Sequence, residues 1–105
     1  MVKMRRKNMS VMITIEMPVI PEKLEEYLGI LKQALVDTRA YKGCQSVATY
    51  VEQANSNVVL VEEWDSVEDQ QAYMSWRTET GLLDAIAPFM RGELVQRTFD
   101  LKSDV

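Results

Sequence analysis

Histidine is missing altogether from the 105 residues, and cysteine occurs once, as Cys44. A lone thiol closes no internal disulfide, so the composition fits a reducing compartment, and a cytoplasmic protein is expected. Without histidine the chain lacks the commonest metal ligand and the side chain that ordinarily titrates near neutrality. A Ser-His-Asp triad, a histidine-ligated haem and ordinary zinc sites are therefore disfavoured. Glycine is sparse at four residues, and none falls in a phosphate-cradling or dinucleotide pattern. A basic surplus is also missing: the formal net charge of -4 speaks against nucleic acid as a partner. No apolar run approaches a membrane span, because the stretch from Met9 to Ile15 is cut by Glu16 and Pro18. Lys3, Arg5, Arg6 and Lys7 precede that stretch in the manner of a signal peptide, but no small-residue cleavage site follows. We read residues 1–8 as a flexible basic terminus and 9–105 as a single domain with no membrane partner.

What is present is strongly patterned. Val11, Ile13, Ile15 and Met17 alternate with Met12, Thr14 and Glu16, the period of a strand. Pro18 and Pro21 end it, and Leu24, Tyr27, Leu28, Leu31, Ala34 and Leu35 then recur at helical spacing. Arg39 and Lys42 suit the negative end of that helix, and Gly43 supplies a left-handed stop. Gln45 to Glu52 and Val58 to Trp64 are rich in β-branched and aromatic residues around the turn chemistry of Ala54-Asn55-Ser56-Asn57, which predicts a hairpin. Ser66, with Asp69 three residues on, caps a second helix predicted to run to about Thr80, with Gly81 as its stop. Leu82 to Ala87 makes a further helical turn before Pro88, the Arg91-Gly92 pair turns the chain, and Glu93 to Leu101 is the last strand.

The order βαββαβ is the split βαβ pattern of α+β, ferredoxin-like folds, with an antiparallel sheet and both helices on one face. Strand alternation sets Val47, Val51, Val59 and Val61 on the face opposite to Tyr50, Leu60 and Trp64, so both faces carry apolar groups. A lone domain leaves one of them wet. A homodimer through the valine face follows.

The segment from Gly43-Cys44 through the hairpin to Leu60-Val61-Glu62-Glu63-Trp64, followed by Ser66, Glu68 and Ala72, resembles the antibiotic biosynthesis monooxygenase-like family. The resemblance covers nearly the whole chain and implies a dimeric α+β barrel. It also implies cofactor-free oxygenation of an electron-rich phenol or hydroquinone, in which the protein stabilises a substrate anion that reduces oxygen. Family members often carry a histidine nine positions after the tryptophan, where this chain has Tyr73. The haem-degrading branch, which uses such a histidine as iron ligand, is thereby disfavoured. We expect no cofactor and no metal, and a small aromatic or quinol-like molecule as partner.

That chemistry needs an apolar cavity, a proton acceptor, and a donor or cation near the forming oxyanion. Tyr73, Arg77 and Glu62 are the candidate catalytic residues. Trp64, Trp76, Tyr50, Met74 and Phe89 are the candidate cavity walls. Each has a plainer reading. Trp64 serves as a core plug as readily as a pocket wall, and Arg77 can pack its stem on the rings with its head in water. Glu62 shares strand parity with Leu60 and Trp64 and is the obvious base. A buried Glu62-Arg77 ion pair would instead make it structural and lower its basicity. Cys44 reads as a small buried hydrophobe with no histidine to activate it. A non-catalytic ligand-binding dimer, and an isomerase or dehydratase using Glu62, stand as the alternative functions.

Overall fold

The computed structural model describes residues 10–105. The expected basic terminus therefore lies outside the described residues. Alternation in the first segment produces β1, Val11–Pro18, whose odd-numbered side chains are buried while the even-numbered ones are half-buried. Pro21 opens a single 3₁₀ turn, where its missing N–H is no loss, and α1 follows as Leu24–Ala40. The apolar stripe of α1 buries Tyr27, Leu31 and Leu35 and continues to Thr38. Gly43, at φ 90°, turns the chain into β2, Cys44–Val51, and a β carbon there would collide with the Asp69 side chain. β3 spans Asn57–Trp64.

Ser66 caps α2, Val67–Glu79, by accepting from the Asp69 N–H at 3.1 Å. Gly81 then takes φ 88° and leads into the short α3, Leu82–Ile86. β4 is Val95–Asp100. Each element expected from the sequence is present, with ends moved by one or two residues.

The sheet runs in the order β2-β3-β1-β4, and every neighbouring pair is antiparallel. This is the α+β, ferredoxin-like arrangement. Ile13, Ile15, Met17, Val58, Leu60 and Trp64 form the sheet's contribution to the core, and the helices supply Tyr27, Leu31, Leu35, Tyr73 and Ile86. No described helix is long and apolar enough to cross a membrane.

One register expectation is corrected. Val47 lies opposite Glu62, Val51 opposite Val58 and Tyr50 opposite Val59. Residues directly opposite in a ladder share a face, so Val47 and Val51 belong with Leu60 and Trp64, under the helices. Tyr50 lies on the uncovered face with Val59 and Val61. The cause is the turn: Glu52 N–H donates to the Asn57 carbonyl at 2.9 Å, enclosing four loop residues. An even loop pairs odd positions of β2 with even positions of β3. The uncovered face remains apolar with a different membership: Ala48, Tyr50, Val59, Val61 and, from the flanking strands, Met12, Val95 and Phe99.

Candidate functional site

Between the helices and the covered sheet face lies a cavity of about 200 Å³. Its walls come from β1 (Ile15, Met17), α1 (Tyr27 to Thr38), β3 (Leu60, Glu62), α2 (Tyr73, Met74), α3 (Leu82, Leu83, Ile86), Leu94 ahead of β4 and Gln96 within it. These are the residues that helical and strand periodicity turn inward. The lining is almost wholly apolar, and it reaches the surface at Ile30, Leu83 and Gln96, its exposed residues.

Glu62 stands on that wall at 1% exposure. Its Oε1 accepts the Trp64 indole N–H at 2.8 Å, and no other donor reaches the carboxylate among the described residues. Burial pushes its carboxyl above the ordinary value of 4.5, against the smaller opposing effect of the indole hydrogen bond. The expected ion pair with Arg77 does not form. The described residues hold one salt bridge, Arg97 to Glu16 at 3.3 Å, on the surface.

Arg77 is committed elsewhere. Its Nη2 donates to the Ala34 carbonyl at 2.6 Å and its Nε to the Tyr73 hydroxyl at 2.8 Å. The guanidinium lies over the Trp76 ring at 4.7 Å and the Tyr73 ring at 5.3 Å from the centroids. A main-chain carbonyl in the body of α1 thus takes the place the sequence assigned to Glu62, and the cation closes α2 against α1. Nor is its head in water, since Arg77 is 8% exposed. The Tyr73 hydroxyl shares a 2.5 Å hydrogen bond with Thr38, in which either oxygen can donate. Tyr73 and Thr38 both line the cavity, while Arg77 stands behind them.

The candidate wall residues divide. Met74 lines the cavity. Trp64 is fully buried behind it, 5.4 Å from the Tyr73 ring, so it acts as a core plug that also holds Glu62. Trp76 stacks on Tyr41 at 5.6 Å and Phe89 packs on Tyr27 at 5.5 Å, both outside the cavity wall. Tyr50 is on the other face of the sheet, 60% exposed. Cys44 is partly buried beside Glu62. Burial, then the nearby carboxylate, push its thiol up, so it is not an activated nucleophile.

Thr38, Gln70 and Gln96 were not singled out from the sequence, and Tyr27 was read only as part of the apolar stripe of α1. Thr38 was detectable, because it extends the Leu31, Leu35 spacing by one more turn, and a polar residue on an apolar stripe signals a buried hydroxyl with a partner. Tyr27, on the same stripe, donates to Met17 Sδ at 3.0 Å, and burial raises its hydroxyl to about 12. Gln70 donates to Gln96 at 3.3 Å across the α2 to β4 gap, a long-range pairing with no local signal. No group of three or more acidic, cysteine or histidine side chains is placed to hold a metal among the described residues.

The model of the family described as antibiotic biosynthesis monooxygenase matches residues 10–87. The chain belongs to that family. Among solved structures, the family fold is shared with a conserved protein from Methanosarcina mazei, 17% identical, at a TM-score of 0.84 over 94% of this chain and 99% of that one. An antibiotic biosynthesis monooxygenase, 18% identical, aligns at 0.77 over 87% and 97% of the two chains. A monooxygenase of Streptomyces coelicolor in complex with Nanaomycin D, 13% identical, aligns at 0.76 over 94% and 93%. No curated protein matches the chain. Identities this low carry the fold of the family and leave the chemistry to be argued from the residues of its cavity.

Proposed function

We propose that this family member is a cofactor-free monooxygenase of a small phenol or hydroquinone, acting as a homodimer with one cavity in each subunit. The single observation that carries this reading is a buried carboxylate, Glu62, on an apolar cavity wall, with no cation to neutralise it among the described residues. Burial strengthens a carboxylate as a proton acceptor. A ring hydroxyl facing Glu62 gives up its proton there, and the electron-rich phenolate reduces dioxygen. One oxygen atom bonds to a ring carbon, whose C–H bond breaks, and the other leaves as water carrying that ring hydrogen and the hydroxyl proton, so that phenol and O₂ yield a quinone and water, with the ring supplying all four electrons. Glu62 takes the hydroxyl proton that leaves in that water. Tyr73, polarised by the Arg77 Nε–H and paired with Thr38, offers a hydroxyl to the developing oxyanion.

The homodimer rests on the uncovered apolar face of Val59, Val61, Tyr50 and Phe99. A second reading, ligand binding without chemistry, draws on the Thr38 to Tyr73 pairing, which can consume the tyrosine proton. An oxygen electrode separates the two. Purified protein with a panel of hydroquinones and phenols should consume oxygen above the autoxidation blank, and Glu62→Gln should lose at least about tenfold of that rate. Ligand binding without oxygen uptake would reject the oxygenase and leave the binding protein.

A further inference from the structure

The shape and polarity of the cavity define a narrower ligand than its fold does. We infer that it takes an uncharged, one-ring phenol or hydroquinone, its hydroxyl donated to Glu62 and an alkyl substituent running out between Ile30 and Leu83. This deepens the reading of Glu62 given above, but it concerns binding alone and stands whether or not oxygen reacts.

Size sets the first limit. A cavity of about 200 Å³ is of the order that holds a single benzene-sized ring. Charge sets the second. Among the described residues no lysine or arginine lines the cavity, and the Arg77 guanidinium behind its wall is turned to the Ala34 carbonyl and the Tyr73 hydroxyl. A ligand carboxylate or sulfonate would lose its hydration and find Glu62 instead of a cation, which strongly disfavours it.

Hydrogen bonding fixes the orientation. The Trp64 indole occupies Glu62 Oε1, and no described donor serves Oε2, so a ligand hydroxyl completes the carboxylate's partners. Part of the lining that reaches the surface is apolar. Ile30 is 39% and Leu83 41% exposed, and both border the cavity at its surface. An alkyl chain leaving the ring there covers side chains that water now touches, and each buried methylene should tighten binding about three- to fourfold. The ligand is thus amphipathic, with its polar head inward and its apolar tail toward the mouth.

The test is titration calorimetry under anaerobic conditions with four probes: hydroquinone, its dimethyl ether, pentylhydroquinone and 2,5-dihydroxybenzoate. Pentylhydroquinone should bind at least tenfold tighter than hydroquinone, and hydroquinone at least tenfold tighter than both the ether and the benzoate. Glu62→Leu, which removes a buried charge without opening a large void, should erase the preference for hydroquinone over its ether. Leu83→Ser should reduce the gain from the pentyl chain. Equal affinity for the benzoate and hydroquinone, no gain from the chain, or an ether preference unchanged in Glu62→Leu would each overturn the inference. Oxygen uptake, measured separately in air, bears only on the oxygenase reading. Tight binding of pentylhydroquinone without uptake would remove that reading and keep this one.

Discussion

The two faces of the sheet are built from the same four strands and carry similar numbers of apolar side chains, yet they are used differently. Under the helices, Ile13, Val58 and Trp64 are fully buried, and the one carboxylate among them, Glu62, is held by a single indole N–H. On the other face, Met12, Val59 and Val61 are half-buried, Tyr50 and Phe99 are 60% and 42% exposed, and charge is confined to positions such as Glu16, Glu63 and Arg97. On the covered face that acid borders a cavity and has the Trp64 indole as its one hydrogen-bond partner among the described residues. The uncovered face carries its acids at Glu16 and Glu63, near the strand ends, and none lies directly opposite Val61, whose neighbours in the register are Thr14 and Ala48. An acid is therefore informative on one face and disruptive on the other.

The largest effect should come from exchanging those rules. Val61→Glu places an unpaired carboxylate at the centre of the uncovered face, next to Thr14 and Ala48 in the register. If two copies meet through this face, the dimer should dissociate at least about a hundredfold more readily, since a buried unpaired charge costs several kcal/mol. Sedimentation or light scattering across micromolar concentrations reads this directly, with unchanged circular dichroism as the control for folding. A wild-type monomer under those conditions would break the comparison at its root.

A smaller effect is expected at the seam between α1 and α2, which shapes the cavity without touching its contents. Arg77→Ala removes a charged donor from the Ala34 carbonyl and from the Tyr73 hydroxyl, each of which keeps Thr38 as a partner, and strips the cation from the Trp76 ring. We expect a loss of about 2–4 kcal/mol in denaturant unfolding. Tyr73→Phe keeps the ring against Trp64 and Tyr41 and removes only the hydroxyl, so its stability loss should be about 1 kcal/mol. Its effect on oxygen consumption should be the larger one, a loss of about tenfold to a hundredfold if that hydroxyl meets the oxyanion. The pair of variants separates what holds the cavity from what acts within it.

Much of this was legible in the sequence, for reasons that differ by residue. Element order followed from periods of two and 3.6 and from Gly43, Ser66 and Gly81, whose roles are local. Glu62 was placed on the covered face by its parity with Leu60 and Trp64 alone, because all three sit on one strand. Tyr50 and Val47 were misplaced because their facing depends on a second strand, and the parity between strands is set by a four-residue loop. Arg77 meets Tyr73, four positions away on one helix, as helical spacing dictates, whereas its pairing with Glu62, on another element, did not form. A main-chain carbonyl that captures a guanidinium carries no residue-type signal, so Ala34 could not be seen. Spacing along one element was reliable, and contacts between elements were not.

The smallest effect expected is the most specific to the covered face. The Glu62 carboxyl is held above its ordinary value of 4.5 by burial, so the folded state binds its proton more tightly than the unfolded chain does. In such a case the contribution to stability is fully present below the ordinary value and is lost as pH rises through the raised one. At neutral pH the ionised carboxylate is therefore a liability to the fold. Glu62→Gln retains an acceptor for the Trp64 indole N–H and removes the charge. It should stabilise the protein at pH 7 by about 1–2 kcal/mol, the scale of an imperfectly compensated buried polar group. The advantage should shrink steadily on acidification and vanish below about pH 4, where the wild-type carboxyl is protonated in both states. Urea unfolding of both proteins across that range measures the difference, and the Arg97 to Glu16 pair, present in both, cancels. A variant less stable than wild type at pH 7 would mean that Glu62 has a cation partner in solution, and the carboxylate would then be structural.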